Sequence, residues 1–174
     1  IPESNFPLFL NMYPDLLETL KLLSHRIEII TGSLYYKDHK SFNATYHFKK
    51  GKMEVATKMI LVPFGEYIPL PDFISDFLKE YVFNGAEDYK TADAPTDFVV
   101  GDTPVRTAIC YEASCEVFYE DAPSFMIAIS NNAWFTPSIE PTLQHLLIKL
   151  FSKRYNVTVL HSINGSKSGI ITPN

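Results

Sequence analysis

A chain of 174 residues has the size of one domain, and 46% hydrophobic with 14% aromatic residues supplies an ample core, which excludes a disordered chain. A formal charge of -5 leaves no basic field, so nucleic acid is excluded as a partner; the lysines gather only at Lys49, Lys50 and Lys52, as at a solvated hairpin tip. Two cysteines make no disulfide framework, no Cys/His spacing suits zinc and no cofactor is expected, while apolar stretches of five or six residues at most fall short of the roughly 18 that a membrane span needs.

Ile1 to Ser4 reads as the tail of a strand that begins before the chain does, followed by a loop to Pro7. With no initiator methionine, no signal peptide and a turn-like Thr172-Pro173-Asn174 at its end, the sequence reads as a fragment of something longer. Pro14 and the leucines at 16, 17, 20 and 23 predict a helix to about His25. Arg26 to Tyr36 is β-branched and alternating, a strand that breaks at Gly32. Ser41 to Lys49 and Lys52 to Thr57 flank Lys50-Gly51 as a hairpin.

MILVPFGEYIPLP, Met59 to Pro71, holds three prolines and a glycine and predicts a rigid loop, the kind of segment that carries function. Pro71 to Val82 reads as a short helix, Asn84 to Thr96 as turns, and 97–100 with 103–109 as a hairpin turning at Gly101-Asp102. Ser124 to Ser130 is a buried strand that runs into the polar loop Asn131-Asn132-Ala133-Trp134. Pro141 to Tyr155 predicts a helix with Leu143, Leu146, Leu147, Leu150 and Phe151 on one face. Val157 to Ile163 and Ser168 to Thr172 are strands joined at Asn164-Gly165. Hairpins mixed with helical crossovers predict an α/β sandwich of two mixed sheets with helices outside.

In VRTAICYE, Val105 to Glu112, a β-capable run ends at Cys110 and the helix-prone ASCEVFYEDA follows. A thiol at such a strand-to-helix turn is exposed at a sheet edge. A helix N-terminus favours the thiolate and lowers a pKa that is otherwise about 8.5. The segment alone favours a buried core cysteine over a nucleophile, since free cysteine usually behaves as a small hydrophobe. Glu3 and Lys58 also stand at the ends of β-like segments, and such positions converge on one edge of a sheet. A carboxylate, an ammonium and a thiol are what cysteine-based acyl chemistry requires: a base, an oxyanion-stabilising cation and a nucleophile.

KMILVPFGEYIPL at Lys58 to Leu70, with IPESNFP, FNATYHF, AICYE, SNNAWF and QHL elsewhere, resembles the nitrilase superfamily of carbon-nitrogen hydrolases and, within it, the bacterial apolipoprotein N-acyltransferases. The resemblance covers the whole chain as a single nitrilase-like α-β-β-α catalytic domain. It implies Glu3 as general base, Lys58 as oxyanion-stabilising cation and Cys110 as nucleophile. It further implies that Glu66 positions Lys58, that Tyr111 gives its backbone N–H to the oxyanion hole, and that Glu112 shapes the pocket. Phospholipid is then the acyl donor, a Cys110 thioester the intermediate, and the diacylglyceryl-cysteine of an apolipoprotein the acceptor. The implied setting is the periplasmic side of the bacterial inner membrane, reached through flanking helices that this soluble piece lacks. Two positions depart from the family's SNDAWFG: Asn132 replaces the acid and Thr136 the glycine.

Asn131, Phe64 and Tyr67 are candidates for lining the substrate pocket. Trp134 fits either that lining or core filling, and the aromatic loop from Phe64 to Phe77 either touches lipid or packs as a lid. His145 reads as a satisfied histidine beside the core, and Cys115 as a thiol facing the core, away from Cys110. Two other functions use the same residues: a soluble nitrilase-type amidase for small amides, and a non-catalytic remnant of the enzyme.

Overall fold

Alternation between Asn43 and Phe48 dictates how the chain layers. Ala44, Tyr46 and Phe48 point to one side of their strand, Asn43, Thr45 and His47 to the other, and all six are buried, so this strand is covered on both faces. The structure, a computed structural model, describes residues 1–3, 5–63, 66–67, 89–135 and 137–174. Strands β1 (Phe6–Phe9), β2 (Ile29–Lys37), β3 (Lys40–Lys49) and β4 (Lys52–Thr57) form one sheet in that order, with β1 parallel to β2 and the other pairs antiparallel. Strands β5 (Asp97–Val100), β6 (Thr103–Ile109), β7 (Phe125–Asn131), β8 (Thr158–Asn164) and β9 (Gly169–Ile171) form a second. Its inner pairs are parallel and its edge pairs antiparallel.

Helix α1 (Pro14–Leu23) brings Leu16, Leu17 and Leu20 onto Ala44, Tyr46 and Phe48. On the other side α2 (Glu140–Tyr155) crosses from β7 to β8 and sets Ile148 and Phe151 on Ala108, Met126, Ala128 and Val159. Between the sheets lie Ile109, Ile127 and Ile129, with the His47 ring 5.1 Å from that of Phe98. The α-β-β-α order of layers expected from the sequence is the one observed. The hairpin at Lys50-Gly51 is also as expected, and a second joins β2 to β3 at Asp38-His39, where φ values of 51° and 58° supply the turn that right-twisted strands need.

Several local readings are overturned. Strand β2 runs through Gly32 unbroken, because a chain segment crosses it there: a Cβ on Gly32 would lie 2.7 Å from Glu3 Cα and 2.9 Å from Ile129 Cδ1. Residues 1–3 are not a strand; the first strand follows Glu3, and the Ile1 ammonium donates to the Ile30 carbonyl at 2.9 Å. After Cys110 there is no α-helix but two short 3-10 turns, Cys110–Ser114 and Glu116–Phe118. They form because the Glu112 carboxylate folds back onto the Ile109 N–H at 2.7 Å and Arg106 gathers the carbonyls of Phe118, Glu120 and Asp121. Helix α2 turns Gln144, Ile148 and Ser152 inward and leaves Leu143, Leu146, Leu147 and Leu150 exposed. The loop expected at Asn131 begins one residue later, since Asn131 closes β7. The expected helix from Pro71 to Val82 lies outside the described residues.

Candidate active site

Lys58 follows Ala56 by two residues and shares its inward direction, so its stem enters the space between the sheets at the end of β4. Alternation would instead carry Cys110 outward with Ala108, toward α2. A φ of 54° at Cys110 reverses the chain and brings the residue into the same space. A non-glycine residue held in this region stores strain of roughly 1–3 kcal/mol, and such strain recurs at functional sites. Glu3 arrives across Gly32, whose missing side chain leaves room for it.

The three meet as follows. Lys58 Nζ is 2.7 Å from Glu66 Oε2 and 4.0 Å from Glu3 Oε1, and the side chain is 1% exposed. Asn43 Nδ2 donates to Glu3 Oε1 at 2.7 Å and to Glu66 Oε1 at 2.8 Å, bridging the two carboxylates. The other Glu3 oxygen accepts the Asn131 N–H at 3.0 Å, while Glu66 Oε2 accepts the Val62 N–H at 2.8 Å. The Glu3 carboxylate and the Asn131 backbone both act on the Cys110 thiol, the first disfavouring and the second favouring its ionised form.

Burial alone would lower the Lys58 pKa, but the charges of Glu3 and Glu66 outweigh it and raise it, so the ammonium is permanent. For Cys110 burial acts first and the Glu3 charge second, and the thiol is pushed up to about 12. The expected lowering by a helix N-terminus is overturned, because no α-helix starts there. At neutral pH the resting site therefore holds a neutral Cys110 thiol, not a preformed thiolate.

A cavity of about 700 Å³ opens on these groups. Beyond its polar floor its walls are apolar, formed by Phe6, Pro7, Leu34, Val62, Pro63 and Phe135. Asn131 lines it; Tyr67 is half-buried and does not, though its bridge partner Pro63 does. Phe64 and the Trp134 side chain lie outside the described residues. Glu112 does not shape the pocket. Its buried carboxylate accepts the N–H groups of Met59, Ile60 and Ile109, fastening the chain after Lys58 to the chain before Cys110, and burial pushes its pKa up to about 7. The Tyr111 side chain is exposed, so any role in the site falls to its backbone. His145 is exposed instead of lying beside the core, because α2 turns that side outward. Cys115 is half-buried against the α2 layer, and both cysteines are free. Among the described residues no cluster of three His, Cys, Asp or Glu side chains suits a metal ion.

Sequence reasoning missed Asn43 as a carboxylate bridge and Gln144, whose Nε2 donates to the Cys110 carbonyl at 3.3 Å. Asn43 was signalled by its inward register in FNATYHF. Gln144 was signalled only as the first residue of the QHL piece, which says nothing of its contact with Cys110.

No protein-family model matches the chain. It is 49% identical over 173 residues to the apolipoprotein N-acyltransferase of Wolinella succinogenes, covering 99% of this chain and 42% of that protein. It is 41% identical to that of Helicobacter pylori, covering 99% of this chain and 41% of the relative. The chain thus spans less than half the length of these curated relatives. In fold it is similar to a CN-hydrolase superfamily protein of Xanthomonas campestris, at a TM-score of 0.67 and 13% identity, covering 98% of this chain and 62% of the other. A mutant amidase from Nesterenkonia sp. AN1, solved with acrylamide added to its active-site cysteine, gives a TM-score of 0.67 at 8% identity and covers 98% of this chain and 65% of its own.

Proposed function

We propose that the chain, similar in sequence to the apolipoprotein N-acyltransferases, carries their acyl-transfer chemistry on Glu3, Lys58 and Cys110. Glu3 takes the thiol proton as Cys110 Sγ attacks the ester carbonyl of a phospholipid. The tetrahedral oxyanion faces the Lys58 ammonium and the Tyr111 N–H, where one donor is worth about 2.7–4 kcal/mol. Collapse expels the lipid alkoxide, which recovers the proton from Glu3 and leaves as lysophospholipid, and the acyl group remains on Cys110 as a thioester. The α-amine of a diacylglyceryl-cysteine then attacks the thioester. Glu3 accepts the amine proton and returns it to the departing thiolate, so the enzyme is regenerated and an amide is formed.

The single observation that carries this reading is the meeting of a base, a fixed cation and a protonated thiol at the floor of a cavity with apolar walls. Those walls favour a fatty acyl chain over the small amides of the amidase reading, and the thiol's carboxylate partner favours a working site over a non-catalytic remnant. Lipid substrates of this kind accord with a site working at the periplasmic face of the inner membrane; no helix among the described residues is long and apolar enough to cross a membrane. Incubation with phosphatidylethanolamine vesicles followed by intact mass measurement tests the reading. An acyl adduct that is lost in Cys110→Ala supports it. Absence of the adduct together with turnover of short amides replaces it with the amidase.

A further inference from the structure

The Cys110–Tyr111 peptide is gripped from behind the sheet. Gln144, 3% exposed on α2, donates from Nε2 to the Cys110 carbonyl at 3.3 Å and to Ser130 Oγ at 3.4 Å, while its own oxygen accepts Asn132 Nδ2 at 3.1 Å. Ser130 Oγ is in turn 2.8 Å from His161 Nε2, and burial keeps that imidazole neutral. None of Gln144, Asn132, Ser130 and His161 lines the cavity. The C=O and N–H of a trans peptide point in opposite directions from one plane. A carbonyl drawn toward α2 therefore aims the Tyr111 N–H the other way, toward the inter-sheet space. The left-handed backbone at Cys110, which nothing in its side chain favours, needs such an outside hold.

We propose that Gln144 is a positioning residue for acyl transfer: by holding the Cys110 carbonyl it orients the Tyr111 N–H as an oxyanion donor, without touching substrate. The inference rests on Cys110 being the nucleophile. It does not depend on which lipid is the donor.

Acylation of the full chain by p-nitrophenyl butyrate is the test, followed by burst kinetics and by the infrared carbonyl stretch of the thioester. Gln144→Met should slow maximal acylation about a hundredfold, the scale of one lost oxyanion donor. The half-saturating ester concentration should stay unchanged, and the thioester carbonyl should move to higher wavenumber, a shift that loss of stability alone does not produce. In Gln144→Glu a carboxylate faces the Cys110 carbonyl, and its protonation restores a donor. The ratio of variant to native rate should therefore rise as pH falls. Native acylation rate and native carbonyl stretch in Gln144→Met overturn the proposal; should that variant not melt cooperatively, a pH-independent ratio in Gln144→Glu does so. A native chain that is acylated by the ester but not by phosphatidylethanolamine vesicles defeats the lipid reading and leaves Gln144 supported by the same ester kinetics. A native chain acylated by neither defeats both.

Discussion

Lys58 Nζ lies 2.7 Å from Glu66 Oε2, closer than its 4.0 Å to Glu3 Oε1, so the ammonium is anchored on Glu66, while Glu3 is the carboxylate whose charge raises the Cys110 thiol pKa. The division of labour matters: Glu66 holds the cation, which leaves Glu3 for the proton transfer proposed above. Lys58→Met removes the charge that both carboxylates share inside the protein. Stability should fall by about 3–5 kcal/mol at neutral pH, the cost of breaking a buried pair. Because the damage is uncompensated negative charge, urea melts should show the deficit shrinking toward pH 4. A deficit that is the same at pH 4 and pH 7 would contradict the pairing.

Glu3→Gln separates reactivity from catalysis at Cys110. Burial and then the Glu3 charge hold the thiol up at about 12, so native alkylation by iodoacetamide should climb through pH 9 without levelling. With the carboxylate neutralised and Lys58 retained, the thiol pKa falls, and alkylation at pH 8 should rise about tenfold for each unit of that fall. Acyl transfer should be lost in the same variant, because nothing remains to take the proton. Slower alkylation of the variant than of the native chain would remove Glu3 from the thiol's surroundings.

Glu112 makes stability depend on pH in the opposite sense from an ordinary salt-bridged acid. Burial raises its folded pKa to about 7 against an ordinary value of 4.5, so the folded chain binds a proton that the unfolded chain releases. The contribution is fully present below pH 4.5 and is lost as pH rises through 7. Relative to Glu112→Gln, the native chain should lose roughly 3 kcal/mol between pH 4.5 and 8, read from denaturant melts at each pH. A difference that does not vary with pH would show the carboxylate ionised throughout.

Helix α2 shows where periodicity stops being informative. Its leucines repeat as a core face should, yet Leu146 is 55% exposed while Ile148 and Ser152 are fully buried. The inward side is fixed by what the sheet presents, a Ser130 hydroxyl and the Cys110 carbonyl, both of which take a hydrogen bond from Gln144, and no count of apolar residues reveals that. The ends of β4 and β6 were legible because a β-like run stops one residue before Lys58 and Cys110. The left-handed turn at Cys110 was not, since only glycine advertises that conformation. Leu146→Ser should accordingly change stability by less than about 0.5 kcal/mol, and Ile148→Ala should cost about 2–5 kcal/mol. The reverse order in urea midpoints would restore the leucine face to the core.

Gly32 was legible as a break in a strand, whereas its use is to let another segment come close. An added Cβ would stand 2.7 Å from Glu3 Cα and 2.9 Å from Ile129 Cδ1. The isoleucine tip can yield, but the Glu3 backbone has less freedom: its carboxylate is held by Asn43 and by the Asn131 N–H, and the preceding Ile1 ammonium by the Ile30 carbonyl. Gly32→Ala should therefore push Glu3 away from Cys110 and cost about 1–3 kcal/mol through overpacking. Displacing the base lowers the thiol pKa and slows proton removal together, so alkylation at pH 8 should rise while acylation falls. Kinetics of both reactions on the one variant check this, and loss of acylation with unchanged alkylation would place the strain somewhere other than between Glu3 and the thiol.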